Sequence, residues 1–148
     1  MMKSRVRSIL EKERISSSLA QRICDIVPMA SHNQRGHVTI SVELPPDQDV
    51  DVRDISAMVH GKLNQVYGVL KREDELELVY RAHKNPTFVE DACRKIAEGI
   101  YELLRRKLRP DSKVRILLVS EESIHQHNAF AEIEMSLEQL KYFVDIHR

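Results

Sequence analysis

The sequence lacks an excess of charge of either sign, because 23 acidic residues balance 23 basic ones. A chain without net charge has no overall field that would draw it to nucleic acid or to a membrane surface, although charge can still be patterned locally. The sequence also lacks a run of about 18 apolar residues, which crossing a bilayer requires, and the apolar stretch of a signal peptide. We therefore expect a soluble protein that binds neither nucleic acid nor membrane.

Cysteine is scarce as well. Cys24 and Cys93 are the two cysteines, and both lie among apolar residues without the spacing of a metal or redox motif. This pattern favours two buried thiols in a reducing compartment over a disulfide, so we expect a cytoplasmic protein. A chain of 148 residues is long enough to bury one core without disulfides.

Apolar periodicity predicts an α+β domain with the order helix, strand, helix, helix, strand, strand. The predicted segments are a helical stretch at 4–27 that is broken at Ser16–Ser18, a strand at 37–44, a helix at 52–70, a long helix at 86–107 capped by Asn85 or Thr87, and strands around 114–118 and 129–135. Residues 73–82 are ambiguous by pattern, because they alternate like a strand, but their glutamate content favours a short helical turn.

Four polar blocks separate these segments. They are Ser31-His32-Asn33-Gln34-Arg35-Gly36-His37, Lys71-Arg72-Glu73-Asp74-Glu75, Asn85-Pro86-Thr87-Phe88-Val89-Glu90-Asp91 and Glu122-Ser123-Ile124-His125-Gln126-His127-Asn128. Each block alone has an ordinary structural interpretation, namely a polar loop, a solvated acidic turn, a helix-capping box and a turn with exposed histidines. Four such blocks in one order are far more specific than any one of them.

Together the blocks resemble the second half of the GTP cyclohydrolase IB family, especially the archaeal enzymes of methanopterin synthesis. The resemblance begins near residue 17 and ends near Leu140. It implies the tunnelling fold, an antiparallel sheet backed by two helices, here with residues 1–28 as a helical extension and 29–148 as the single domain. Family enzymes carry two such units in tandem. Since an open sheet also leaves unpaired edges, we expect a homo-oligomer with sites at subunit interfaces.

The resemblance also implies roles for the first two blocks. It makes His32 and Glu75 metal ligands, and Asn33, Gln34 and Arg35 substrate contacts. An imidazole and a carboxylate suit a divalent metal such as zinc, iron(II) or manganese. Without the resemblance, Glu75 would be interpreted as part of a solvated acidic surface.

The other two blocks would bind and process the purine. By resemblance Glu90 anchors guanine through two parallel hydrogen bonds. A capping box from Thr87 to Glu90 would also explain this residue, but the match of the whole block favours purine anchoring. The resemblance makes Glu122, His125 and His127 the catalytic residues. Histidine suits this role because it titrates near neutral pH.

One family feature is absent. A Cys-Pro-Cys segment that supplies a thiolate to the metal has Ser17 or Ala20 at its place, and Cys24 lies on an apolar stripe that favours a buried thiol. The resemblance therefore implies either of two functions. One is a metal-dependent GTP cyclohydrolase that opens the guanine imidazole ring at C8 in pterin, folate or methanopterin synthesis. The alternative is a catalytically impaired paralogue that binds a purine or pterin nucleotide or partners a full-length cyclohydrolase.

Overall fold

A computed structural model of the chain describes residues 2–26, 34–63, 78–79, 82, 86–123 and 125–147. The chain divides into two compact units, one of residues 1–33 and 68–85 and the other of residues 34–67 and 86–148. None of the helices among the described residues is both long and apolar enough to cross a membrane.

The first unit contains α1 (Met2–Lys12) and α2 (Ser17–Ile26). The predicted break between them is confirmed, but it lies just before Ser17 because Arg14 adopts a positive φ of 62°, a conformation that ends a right-handed helix. Ala20 and Cys24 are buried on α2. The predicted buried thiol at Cys24 is thus confirmed, and its Sγ donates to the Lys3 carbonyl at 3.7 Å.

The second unit is an antiparallel sheet packed against helices, which confirms the predicted α+β class. Its elements are β1 (Arg35–Val42), α3 (Val52–Lys62), α4 (Val89–Leu104), β2 (Lys113–Glu121), β3 (Ala129–Ser136) and α5 (Leu137–Ile146). Among the described residues the sheet has three strands in the order β1-β2-β3, and both neighbouring pairs are antiparallel.

The core of this unit lies between one face of the sheet and α4. Every second residue of β2 is buried, from Val114 through Ile116 to Leu118, because side chains alternate between the two faces of a strand. The opposing stripe on α4 includes Ile96 and Ile100, which are fully buried. The outer face of β2 carries more exposed residues.

Several helix predictions differ from the structure. The helix predicted over 52–70 ends at Lys62, because Leu63 adopts extended backbone angles of −114° and 139°. The helix predicted over 86–107 ends at Leu104. The N-cap of α4 is Phe88, with extended backbone angles of −71° and 158°, and not Asn85 or Thr87. The predicted capping box from Thr87 to Glu90 is therefore wrong. Helix α5 was not predicted. It begins with a different capping box: Ser136 Oγ accepts from the Gln139 N–H at 3.2 Å, and Gln139 Oε1 accepts from the Ser136 N–H at 2.9 Å.

Candidate functional site

A hydrogen-bonded cluster joins the beginning of β1 to the end of β2. Because Gly36 pairs with Ser120 in the antiparallel register, Gln34 and Glu122 extend from neighbouring strands at the same end of the sheet. The Gln34 Nε2 donates to Glu122 Oε2. The Ser120 hydroxyl lies 3.2 Å from Gln34 Oε1 and 3.4 Å from Glu122 Oε1. The cluster brings together two of the predicted site residues and adds a serine.

The loop from Glu122 to Asn128 carries the two predicted histidines. Asn128 Oδ1 accepts from the Glu122 backbone N–H at 3.2 Å, which ties the two ends of the loop together. The rings of His125 and His127 stack with centroids 5.9 Å apart and planes inclined by 29°. Since both histidines are exposed, a substrate or solvent has access to their rings.

Arg35 lies on the other face of the sheet from the Gln34 cluster, because adjacent residues of a strand point to opposite faces. On that outer face His37 Nε2 lies 3.0 Å from Glu121 Oε1. Among the described residues Arg35 has no hydrogen-bond or ion-pair partner, so its guanidinium is available to an anion. The two predicted substrate contacts, Gln34 and Arg35, thus face different sides of one strand end.

Glu90 occupies the second position of α4 and is exposed. The N-cap residue Phe88 makes no side-chain capping hydrogen bond, and within the described part of the chain the Glu90 carboxylate has no hydrogen-bond or ion-pair partner. The helix ends at Leu104, and residues 105–112 connect it to β2. In the core, Cys93 Sγ lies 3.9 Å from the Ile116 carbonyl.

The predicted metal ligands His32 and Glu75, and the predicted contact Asn33, lie outside the described residues. Among the residues that are described, no group of three or more histidine, cysteine, aspartate or glutamate side chains is arranged to hold a metal ion. Neither cysteine offers an accessible thiol, because each is only 1% exposed. Burial also raises the pKa of the Cys93 thiol, so it stays protonated over a wider range of pH.

Sequence reasoning missed two members of the site. Ser120 follows Val114, Ile116 and Leu118 at the next inward position of β2, where an apolar residue would be expected. A polar residue at a buried strand position could have indicated a site residue from the sequence. Asn128 closes the fourth polar block, but its structural role requires the loop geometry. Both residues contact Glu122, which places them in the same polar network.

Comparison with known proteins supports the resemblance on which the site was predicted. Residues 6–131 match the sequence profile of the family described as type I GTP cyclohydrolase folE2. The match begins before residue 17, so it includes part of α1 and all of α2.

Similar proteins from several archaea carry the name GTP cyclohydrolase MptA. The protein from Methanosphaera stadtmanae is 43% identical over 130 residues, which are 87% of this chain and 41% of the relative. The Haloferax volcanii protein is 38% identical over 98% of this chain and 47% of its own length. The protein from Methanocaldococcus jannaschii is 38% identical over 89% of this chain and 42% of its own length. The chain thus spans less than half the length of these relatives.

Proposed function

Since this chain belongs to the type I GTP cyclohydrolase folE2 family, we propose that it acts in the metal-dependent hydrolysis that opens the guanine imidazole ring of GTP at C8. The product would enter pterin, folate or methanopterin synthesis. The observation that carries the proposal is the cluster in which Gln34 and Ser120 contact both oxygens of Glu122, beside a loop with two accessible histidines. Donors and acceptors fixed at one strand end are what a nucleotide site requires.

Glu90 is proposed to anchor the guanine base. An ionised carboxylate can accept two parallel hydrogen bonds, one from the ring N–H and one from the exocyclic amine of guanine. The proposal is supported by the absence of a competing structural partner for Glu90 among the described residues. Adenine presents no such pair of donors, so this contact would select GTP over ATP.

Gln34 and Arg35 are proposed as further substrate contacts. One N–H of the Gln34 amide donates to Glu122, which leaves its second N–H for the nucleotide. Arg35 is the first residue of β1, and its guanidinium is unpaired within the described ranges. A triphosphate that extends past this strand end can reach it, and guanidinium groups bind phosphate in a bidentate manner.

Glu122, His125 and His127 are proposed to move the protons. When a carbon–nitrogen bond at C8 breaks, the leaving nitrogen must gain a proton, and the attacking water must lose one. Imidazoles exchange protons near neutral pH, and the two rings stack in one loop that Asn128 closes. Glu122 at the base of the loop would orient this pair or accept the proton of the water.

His32 and Glu75 are proposed to hold a divalent metal, zinc, iron or manganese. An imidazole and a carboxylate are suitable ligands for these ions, and a metal bound there would polarise the attacking water. We also propose that the chain forms homo-oligomers with sites at subunit interfaces. Support comes from the two outer strands of the described sheet, β1 and β3, each of which pairs on one side only.

A second candidate function is a catalytically impaired paralogue that binds a purine or pterin nucleotide or partners a full-length cyclohydrolase. One observation favours it. The family's thiolate position falls at Ser17 or Ala20, and the nearby Cys24 is buried with its Sγ directed at the Lys3 carbonyl. Cys24 therefore does not offer a replacement ligand in this conformation.

Anaerobic GTP consumption tests the two candidates. The purified chain would be supplied in turn with iron(II), manganese and zinc, and compared with His32→Ala and with the control variant His147→Ala. His147 is a suitable control because its Nδ1 interacts with the Phe143 carbonyl in the C-terminal helix, at 2.7 Å. Metal-dependent turnover that His32→Ala abolishes and His147→Ala retains would support the cyclohydrolase. GTP binding without turnover under every metal would refute it in favour of the paralogue.

A further inference from the structure

We propose that Ser120 is a positioning residue that holds the Gln34 amide and the Glu122 carboxylate in the orientation that binds nucleotide. The inference rests on the proposed function, in which both side chains belong to the site. Ser120 itself is only 8% exposed and lies at the inward-facing end of the buried stripe of β2. It therefore acts through its two partners and not by contact with the substrate.

A hydroxyl at this position needs hydrogen-bond partners. Burying one without a partner costs free energy, and replacing it by an apolar group would extend the stripe formed by Val114, Ile116 and Leu118. Ser120 Oγ instead lies within hydrogen-bond distance of Gln34 Oε1 and Glu122 Oε1. Both partners of this buried hydroxyl are thus residues that the proposed function uses.

The strand residues that flank Ser120 are small. The residues opposite Ser120 on the neighbouring strands are Gly36 and Ala129, both small. A Cβ added at Gly36 would meet no atom of the described residues within 4 Å. Within the described part of the chain, this row of the sheet places no bulky strand side chain beside the cluster, and the contacts that orient Gln34 and Glu122 there are hydrogen bonds.

The cluster fixes the Gln34 amide at both ends. Its Nε2 donates to Glu122, while its Oε1 faces the Ser120 hydroxyl. A flipped amide would direct its oxygen at the carboxylate, which is repulsive. The contact with Ser120 also opposes rotation of the amide about its hydrogen bond to Glu122. The second N–H of Gln34 therefore keeps one direction. Because this donor is already fixed, nucleotide binding does not cost additional side-chain conformational entropy.

Three variants test this role. Ser120→Ala removes the hydroxyl, and Ser120→Thr keeps it at a position whose partner on β1, Gly36, has no side chain. Ser112→Ala is the matched control, because Ser112 immediately precedes β2 at its other end and is 4% exposed. Its hydroxyl has no partner within the described part of the chain.

The first readout needs no activity. The side-chain amide signals of Gln34 are followed by nitrogen-15 NMR spectra of the full chain. They are assigned as the pair of signals that disappears in Gln34→Leu. We expect Ser120→Ala to shift these signals toward those of a free amide, whereas Ser120→Thr and Ser112→Ala retain the native positions. Native positions in Ser120→Ala would overturn the proposal whether or not the protein turns GTP over. If Ser120→Ala does not fold, displaced Gln34 signals in the folded Ser120→Thr variant would overturn it equally.

The second readout is the affinity for GTP. Loss of one neutral hydrogen bond is expected to weaken binding by roughly fivefold to tenfold in Ser120→Ala, with recovery in Ser120→Thr. Unchanged affinity in Ser120→Ala, alongside displaced amide signals, would refute the link to nucleotide binding. Absence of GTP binding in the unmodified protein would instead refute the proposed function, while the amide signals would still report on the cluster.

Discussion

Replacing Glu90 with glutamine separates the two roles that its position in α4 allows. In a capping box, this side chain would bond to the backbone at the helix start, and its loss would destabilise the fold. The observed N-cap is Phe88, and it has no side-chain capping bond. What remains is the attraction between a carboxylate and the positive end of the helix dipole, about 0.3–1 kcal/mol at an exposed position. We expect Glu90→Gln to lower the free energy of unfolding by no more than that.

The effect on GTP binding should be larger. Glutamine keeps one acceptor, but its NH₂ group meets a guanine N–H where the carboxylate presented an oxygen. At least one charge-assisted hydrogen bond is lost, worth about 1.5–3 kcal/mol, which corresponds to a roughly 10- to 150-fold weaker affinity. Since adenine lacks this donor pair, ATP binding should hardly change. The variant would therefore lose most of its preference for GTP over ATP.

Urea unfolding and calorimetric titration with GTP and ATP measure both quantities. Asp91→Asn is the matched control, because Asp91 lies in the same helical turn but pairs with Arg94 at 2.7 Å. This control should share the small loss of stability and bind GTP normally. A selective GTP loss in Glu90→Gln would fit purine anchoring. Equal affinities in Glu90→Gln and the unmodified protein, or a loss of stability well above 1 kcal/mol, would show that the reasoning is wrong.

Three further predictions concern the fold. Ser136→Ala removes the capping box that Ser136 shares with Gln139 and should cost about 1 kcal/mol in urea unfolding, whereas Ser136→Asp should retain most of it. Ile96→Ala opens a cavity at a fully buried position and should cost about 2–5 kcal/mol; a smaller loss would mean that α4 collapses into the space. Burial raises the pKa of the Cys93 thiol, so its contribution to stability is complete below the ordinary thiol pKa, about 8.5, and declines above it. The difference in unfolding free energy between the unmodified protein and Cys93→Ala should therefore shrink between pH 8 and 10, and a constant difference would contradict the assignment.

The helices and strands that could be located from the sequence are those whose apolar residues repeat regularly over a long stretch. The inward residues of β1 and β2 alternate strictly, and the α4 stripe runs through Ile96 and Ile100 at helical spacing. The helix α5 was missed although Ser136 and Gln139 form a readable start signal. It follows β3 without a connecting residue. The apolar spacing therefore changes from that of a strand to that of a helix with no polar loop to mark the boundary.

The interpretation of Glu90 depends on which residue is the N-cap of α4. The sequence alone does not determine that residue. Thr87 is a better capping residue than Phe88 by side-chain chemistry, and it lies three residues before Glu90 as a capping box requires. The extended backbone of Phe88 begins the helix one residue later and moves Glu90 to the second position. Helix boundaries shift by one residue at little local cost, whereas the geometry of a capping box tolerates no shift.

The choice between two adjacent glutamates shows what the strand register adds to the site. Glu121 and Glu122 are equivalent by composition, yet a strand sends neighbouring side chains to opposite faces. Ser120 is buried on the inner face, so Glu122 lies on that side and binds Gln34, whereas Glu121 turns outward to His37 at 3.0 Å. A shift of one residue in the pairing of β1 with β2 would exchange the two carboxylates. The apolar stripe that buries every second residue of β2 fixes the register, and thereby also determines which glutamate enters the site.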